Sequence, residues 1–398
     1  MAPEGWTEER LGNLFESRRD KGAPGLPTVS VTMNDGLVHR DTLDRKTDTN
    51  LEAEGHLLIN KGDIAYNMMR MWQGASGLAD YDAIVSPAYI VLKPTARINS
   101  QFAAYLFKSP RFIYLFWAYS YGLTSDRLRL YFKDFSLIPV ALPPLPEQQK
   151  IAEILATWDR AIETVEKLIA NSQAQKKALM QQLLSSKVRF PKFQDQVWDN
   201  GKLQECCLVK AAYGANAPAI PLSSSQPRYL RITDVSDTGS VLSTDAKSVD
   251  RAKAKGCFLE HGDIVFARSG ATVGKAYLHK SSDEIAYAGY LIRFRPNPKV
   301  LNADFLFNFV RSDRYWEWVR TSIRAGAQPN INAKEYGSLP VPLPRIPEQK
   351  RIADALDTMD QEVTGLQKMR RNLKTERAAL MQQILSGKRR VRVLEDAA

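Results

Sequence analysis

Cysteine is nearly absent from this chain: there are three in 398 residues, Cys206 and Cys207 adjacent and Cys257 distant. That number and spacing exclude a disulfide framework and a paired CxxC zinc site, so a reducing, cytoplasmic setting is expected. Histidine is almost as scarce. His39, His56, His261 and His279 are scattered without metal-ligand spacing, and surface or loop roles are expected for them. Long apolar runs are missing as well. The most apolar stretch, Phe112 to Leu123, is closely flanked by Arg111 and Asp126 and falls far short of the roughly 20 residues that a membrane span requires. The opening MAPEGWTEER has neither the basic start nor the apolar core of a secretory signal, so a soluble protein is expected. Catalytic signatures are lacking too. There is no NPPF-like or DPPY-like tetrapeptide to hold a flipped adenine, and no Gly-rich strand-to-helix turn of a methyl-donor site. With no Pro-Asp dipeptide, a PD…(D/E)xK nuclease site in its usual form is excluded.

What remains is a globular composition, 44% hydrophobic and 9% aromatic, long enough for two or three domains. The net charge of +11 and a pI near 9.4 favour an acidic partner, of which nucleic acid is the commonest. The charge is unevenly placed. Residues 1–82 carry 9 bases and 14 acids, whereas residues 83–145 carry 7 bases and 2 acids, so a polyanion should meet the later part of the first segment.

The chain also repeats itself. Pro146 to Lys187 returns at Pro347 to Lys388, shifted by 201 residues without a gap, with 18 of 42 paired positions identical. Identity concentrates in PEQ at one end and ALMQQ at the other. Each copy begins at proline with Glu147 or Glu348 beside it, which suits a helix start, and ends in Lys187 or in Gly387 followed by basic residues, which suits a helix end. Stepping by four and three from Ile151 to Leu183 gives eight apolar positions of ten, the exceptions being Ser172 and Lys176. The series from Ile352 to Ile384 gives eight again, with Arg370 and Arg377 as exceptions. This is a coiled-coil seam, and each helix of about 40 residues would be roughly 60 Å long. Such a stripe needs a partner, and the other copy is the best matched. If a two-fold axis relates the halves, the helices run antiparallel with the globular segments at opposite ends.

The globular segments look like mixed α and β. Ala83 to Leu92 and Tyr287 to Phe294 read as strands, Phe102 to Tyr119 and Ala303 to Arg320 as helices. They resemble each other weakly: GDI at 62–64 and 262–264, Tyr89 with Tyr290, and Ile138-Pro139-Val140 with Leu339-Pro340-Val341. The frame is shared while the loops differ, as expected of two readers with different targets.

The order of segments, together with GDIVFARSGATVGK at 262–275 and MRMWQGA at 69–75, resembles the specificity subunits of type I restriction-modification enzymes, and the resemblance covers essentially the whole chain. It implies an α+β protein in which two similar target-recognition domains, 1–145 and 191–345, are separated by two long helices, 146–190 and 346–390, forming an antiparallel coiled coil with internal pseudo-two-fold symmetry. Residues 391–398 form a tail. The resemblance further implies double-stranded DNA as target, one part of a split sequence per domain, and docking of two methyltransferase subunits that modify adenine, joined by restriction subunits. S-adenosylmethionine, ATP and Mg would then belong to those partners, and this chain would carry no chemistry of its own.

Base recognition needs polar side chains on loops. The first segment offers Arg70, Trp72 and Gln73, then Ser125, Arg127, Arg129 and Lys133. The second offers Arg268, Ser269, Thr272 and Lys275, then Gln328, Asn330, Asn332 and Lys334. Trp72, among Met68, Met69 and Met71, suits a core position better than a stacking platform. GATVGKA at 270–276 imitates a phosphate loop, but its glycines are one residue too close and Ala276 replaces the hydroxyl that would hold magnesium. The turn can instead bring backbone to DNA phosphates, or simply join two strands. Glu147, Gln148, Gln181 and Gln182 recur at Glu348, Gln349, Gln382 and Gln383, off the seam, which suggests two equivalent partners docking there. A stand-alone DNA-binding regulator or a coiled-coil scaffold without nucleic acid are the competing readings.

Overall fold

The computed structural model describes residues 2–43, 51–124, 126–323 and 329–393. The chain forms two compact units, and neither follows the boundaries drawn at 145, 190 and 345. The first is Met1–Glu166 with Lys368–Ala398; the second is Lys167–Gln367. Eight helices are named here: α1 (Ser100–Phe107), α2 (Pro110–Ala118), α3 (Phe132–Phe135), α4 (Leu145–Leu184), α5 (Ala303–Phe309), α6 (Asp313–Ser322), α7 (Ala333–Gly337) and α8 (Ile346–Leu385). The two 40-residue helices each pass from one unit into the other.

Both units are built around the same antiparallel four-stranded sheet. In the first, the strand order is Phe15–Arg18, Tyr89–Pro94, Ile64–Asn67, Ser76–Leu78; in the second, Ala212–Tyr213, Leu291–Phe294, Ile264–Ala267, Ala276–Leu278. One face of each packs against a short helix pair and an aromatic core. Phe15, Phe107, Phe112, Phe116 and Phe135 cluster in the first unit, and Phe266, Phe294, Tyr315 and Tyr336 in the second. Burying each such ring contributes about 2 kcal/mol. The repeated GDI explains itself here. Asp63 and Asp263 are buried, accept the Asn60 and Glu260 amides, and bind Arg18 on the first strand (Nε to Oδ2, 2.6 Å) and Arg295 just past the strand Leu291–Phe294 (Nε to Oδ1, 2.7 Å).

The single helices expected over 102–119 and 303–320 are each broken in two. Ser109 caps α2 by accepting the Phe112 amide, with Pro110 as its first residue, and Ser312 caps α6 by accepting from Tyr315. A capping hydroxyl and a proline without an amide hydrogen both terminate the preceding turn. The strand expected over 83–92 likewise divides into Ala83–Val85 and Tyr89–Pro94, which pair in different sheets.

Within each unit, the start of one long helix lies antiparallel to the end of the other. In the first, Asp159 meets Arg377 (2.5 Å) and Glu166 meets Lys374 (2.8 Å); in the second, Ser172 donates to Glu362 (3.0 Å) and Lys176 binds Asp360. The apolar seam holds where it was read: Ile151, Leu155 and Ile384 enter the first core, and Leu183, Ile352 and Leu356 the second. Its polar exceptions are matched across the pair. Ser172, Lys176 and Arg377 meet partners on the opposite helix, and Arg370 approaches Glu166 at 4.0 Å. Burial lowers the Lys176 pKa even though Asp360 works against it, while Lys176 and Arg311 hold the half-buried Asp360 carboxyl below its ordinary range despite desolvation.

The PEQ repeat closes each unit. Glu147 is buried and receives Arg390 through Nε (2.8 Å) and Nη2 (2.7 Å); Glu348 is buried and receives Arg189 through Nε (2.9 Å) and Nη2 (2.7 Å), with Trp198 Nε1 at 3.0 Å. Gln148 accepts the Asn99 amide (2.8 Å) and donates to the Arg97 and Pro143 carbonyls. Gln349 does the same with Asn302 (2.7 Å), Val300 and Pro344. Because Asn99 and Asn302 are the caps of α1 and α5, each glutamine locks a long helix to a short one. Glu147, Gln148, Glu348 and Gln349 are therefore interior bolts, and the expectation that they form a docking surface does not hold.

Removing one member of a buried, doubly hydrogen-bonded ion pair leaves an uncompensated charge. Glu348→Gln is expected to lower the unfolding free energy by about 3 kcal/mol. Urea denaturation checks this against Glu153→Gln, which removes the exposed Lys150–Glu153 pair and should change stability by less than about 0.5 kcal/mol.

Candidate nucleic-acid interface

In both units the turn that follows the GDI strand meets the loop between the second and third short helices. In the first unit, the Leu130 amide donates to the Met68 carbonyl (2.9 Å), and Tyr121 and Arg129 exchange backbone hydrogen bonds that close the loop (3.0 and 2.8 Å). In the second, the Ile331 amide donates to the Arg268 carbonyl (2.9 Å) and Gly270 to the Pro329 carbonyl (3.0 Å). The donors correspond through the same 201-residue shift, Leu130 to Ile331, and the acceptors, Met68 and Arg268, through the 200-residue shift that relates the two GDI sequences. Buried tyrosines fix the supports. Tyr66 Oη donates to the Leu130 carbonyl (3.2 Å), and Tyr336 Oη to the Ala267 carbonyl (2.8 Å).

The first unit's turn and loop enclose a concavity of about 790 Å³ lined by Arg70, Arg127 and Arg129 together with Asn67, Tyr121 and Tyr131. Three arginines against one acid, Asp126, make it cationic. Arg127 and Arg129 are exposed, and among the described residues neither has an ion-pair partner. Arg70 is exposed and donates to Gln73 Oε1 (3.0 Å). This grouping matches the charge asymmetry of the sequence. Lys133 is exposed on α3 but does not line the concavity. Trp72 is half-buried with Nε1 bonded to the Met69 carbonyl (3.0 Å), so its indole supports the turn. Ser125 lies outside the described residues.

The second unit distributes its candidates differently. Arg268 lines a cleft of about 680 Å³ with Tyr213, Asn216, Arg231, Thr233 and Tyr290. Ser269 is buried, so it cannot reach a ligand, and Thr272 is half-buried with its hydroxyl directed to the Ser269 carbonyl (3.4 Å). Lys275 is neutralised by Asp237 at 2.7 Å. Asn332 is the N-cap of α7, its side chain accepting the Lys334 (2.9 Å) and Glu335 (3.0 Å) amides, which assigns it to the helix. Asn330 and Lys334 remain exposed, and Gln328 lies outside the described residues. The Gly-rich stretch is a strand connection. Gly274 has φ +90°, and a Cβ there would come within 2.9 Å of Trp316, while its carbonyl accepts from Tyr315 Oη (2.7 Å) and its amide donates to Tyr336 Oη (3.0 Å). That packing accounts for the glycine.

Tyr121, Tyr131, Tyr213, Asn216, Arg231, Thr233 and Tyr290 were not anticipated at these sites. A signal existed for Tyr290, because Gly289 interrupts the apolar run YAGYLIRF and marks a turn; Tyr290 lies in that turn, ahead of the strand Leu291–Phe294, and is 63% exposed. Burial raises the Tyr229 pKa in the same cleft, and bonding to Asp234 raises that of Arg231. Of the partner-docking candidates, Gln181, Gln182, Gln382 and Gln383 are exposed, with Gln181 bonded to Asp313. Among the described residues no cluster of His, Cys, Asp or Glu is placed to hold a metal ion, and no helix is long and apolar enough to cross a membrane.

Residues 3–171 and 228–376 match the type I restriction modification DNA specificity domain. The chain belongs to this family. Among curated relatives it is similar to the type I restriction enzyme MjaVIII specificity subunit of Methanocaldococcus jannaschii, with 28% identity over 66% of this chain and 64% of that one, slightly less than two thirds of the relative's length. Among solved structures, it shares its fold with the type I restriction-modification system S subunit from M. genitalium (TM-score 0.59, 16% identity, 96% of this chain and 98% of that one). It also shares it with the HsdS subunit from Thermoanaerobacter tengcongensis (TM-score 0.53, 19% identity, 98% of each).

Exposed arginines that contact phosphates release counterions, about 0.9 per contact. The double variant Arg127→Ala/Arg129→Ala should therefore make the log–log salt dependence of duplex binding shallower by up to about 2. Anisotropy titrations at several salt concentrations measure this, with an unchanged melting temperature expected because both side chains are exposed.

Proposed function

We propose that this chain is the non-catalytic DNA-reading component of a type I restriction-modification enzyme, in which each unit reads one half of a split duplex target. The observation that carries the reading is the double construction of one turn-plus-loop platform on one sheet frame, with different side chains on each copy: an arginine-lined concavity in the first unit and a tyrosine-arginine cleft in the second. Two probes of equal build and unequal surface suit two unrelated half-sites. The basic balance of the chain adds the sequence-independent attraction to phosphates that such binding requires.

In this reading two adenine-methylating subunits dock on the chain and restriction subunits join them. S-adenosylmethionine, ATP and Mg serve those partners. Family membership supports the recruitment, and exposed Gln182, Gln382 and Gln383 are the repeated polar positions left to serve it. The competing reading of a stand-alone regulator has no structural feature in its favour.

Exchanging residues 1–145 for the matching segment of a relative should change one half of the methylated motif and leave the other half intact; methylome sequencing of cells carrying the exchange decides this, and a change in both halves would overturn the two-reader assignment. The long helices carry the second expectation. Inserting four residues after Ile169 lengthens α4 by about 6 Å, and the same sequencing should show a different number of unread base pairs between the halves. An unchanged spacing would remove the helices as the ruler.

A further inference from the structure

Of the two arginines in the second unit's cleft, one is already engaged. Arg231 directs Nε and Nη2 to Asp234 (3.0 and 2.7 Å) and Nη2 also to Asp245 (3.2 Å). Arg268 is different. Its backbone is fixed on both sides, its amide donating to the Tyr290 carbonyl (3.0 Å) and its carbonyl accepting from Ile331 (2.9 Å). Its guanidinium lies 4.9 Å from the centroid of the Tyr213 ring, and Tyr213 is itself held by the Ala333 amide, which donates to Tyr213 Oη (3.1 Å). Among the described residues Arg268 has no ion-pair partner, and its Nε is buried without a hydrogen bond. A planar cation sits over an aromatic ring at the wall of an open cleft, and among the described residues none accepts a hydrogen bond from its side chain.

We infer that Arg268, stacked on Tyr213, reads a guanine in the half-target of the second unit. This rests on the DNA-reading function proposed above and adds to it the base and the residue. Guanine presents O6 and N7 as two coplanar acceptors in the major groove, which the fork of a guanidinium matches with two parallel hydrogen bonds. A phosphate contact requires only charge, and a mobile exposed side chain supplies it. Stacking on an aromatic face instead fixes the plane of the fork before binding, so less conformational freedom is lost when a planar edge is recognised. Tyr213 is a positioning residue in this arrangement, and its exposed ring is explained by the cation it carries.

The test is methylome sequencing of cells that carry the partner subunits with Arg268→Lys, Tyr213→Phe or Tyr213→Ala. Lysine keeps the charge and loses the fork. Arg268→Lys should relax one G·C position in one half-target, with discrimination there falling about 10- to 100-fold, while the other half is read as before and so reports a folded protein. Tyr213→Phe should keep the wild-type motif, and Tyr213→Ala should relax the same position as Arg268→Lys. Uniformly weaker methylation of an unaltered motif in Arg268→Lys would assign Arg268 to a phosphate and overturn the inference, as would no change at all. Full discrimination in Tyr213→Ala would remove Tyr213 from its positioning role. A wild-type motif forming one uninterrupted block would count against the two-reader proposal, whereas relaxation at a single guanine would still support Arg268.

Discussion

The crosswise pairing of Glu147 with Arg390 and of Glu348 with Arg189 is the constraint on which the rest depends. Each carboxylate belongs to one copy of the repeat and each guanidinium lies two residues past the end of the other, so neither copy satisfies its own buried charge. A buried carboxylate without a cation is strongly unfavourable, and the arrangement obliges the start of each long helix to meet the end of the opposite one. The adjacent glutamines carry the same constraint onward through the caps of α1 and α5, and from there to the sheet and its loops.

On that shared chassis the two units diverge where a reader should. The sheets and the buried aspartates Asp63 and Asp263 are matched between units, although the arginines that bind them, Arg18 and Arg295, come from non-equivalent positions of the sheet, and the tyrosine beneath the turn sits on the strand in one unit (Tyr66) and on α7 in the other (Tyr336). The surfaces are not matched. Where the first unit gathers Arg70, Arg127 and Arg129, the second adds strands at Arg228–Leu230, Lys247–Ser248 and Ile220–Pro221 and shapes a cleft around Tyr213 and Arg268. In the second unit frame and cleft share some residues, since Tyr229, Ala215 and Ala288 belong to a buried cluster and also line the cleft, whereas Arg268, Tyr213 and Tyr290 face it without entering that cluster.

How much could be read beforehand follows from what leaves a periodic trace. The long helices and their seam came from the spacing of Ile151 through Leu183 and of Ile352 through Ile384, and their antiparallel sense from a two-fold relation between the repeated halves. Even the seam's exceptions made sense once Lys176 met Asp360 and Arg377 met Asp159. The cationic group at Arg127 and Arg129 was visible as local charge. What failed was telling an exposed polar residue from a buried one outside a periodic element. Glu147 and Gln148 look like surface residues until a distant arginine and a helix cap are brought to them, and Asn332 and Ser269 look like reading residues until a helix start and a bridge to Asn330 claim them. Those partners are set by tertiary contact, which leaves no mark in local sequence.

The discontinuity of the first unit has a consequence for biosynthesis. The second unit is one uninterrupted stretch, Lys167–Gln367, whereas the first waits for Lys368 onward to supply Ile384 and Leu385 to its core and Arg390 to Glu147. During translation the segment made first is thus the last to close, its apolar surface open on the nascent chain while some two hundred further residues emerge. Chaperone dependence during synthesis should then be concentrated on the segment up to Glu166, and a frameshift beyond Gln367 would strip the first unit of the helix end that closes it while leaving the second unit whole.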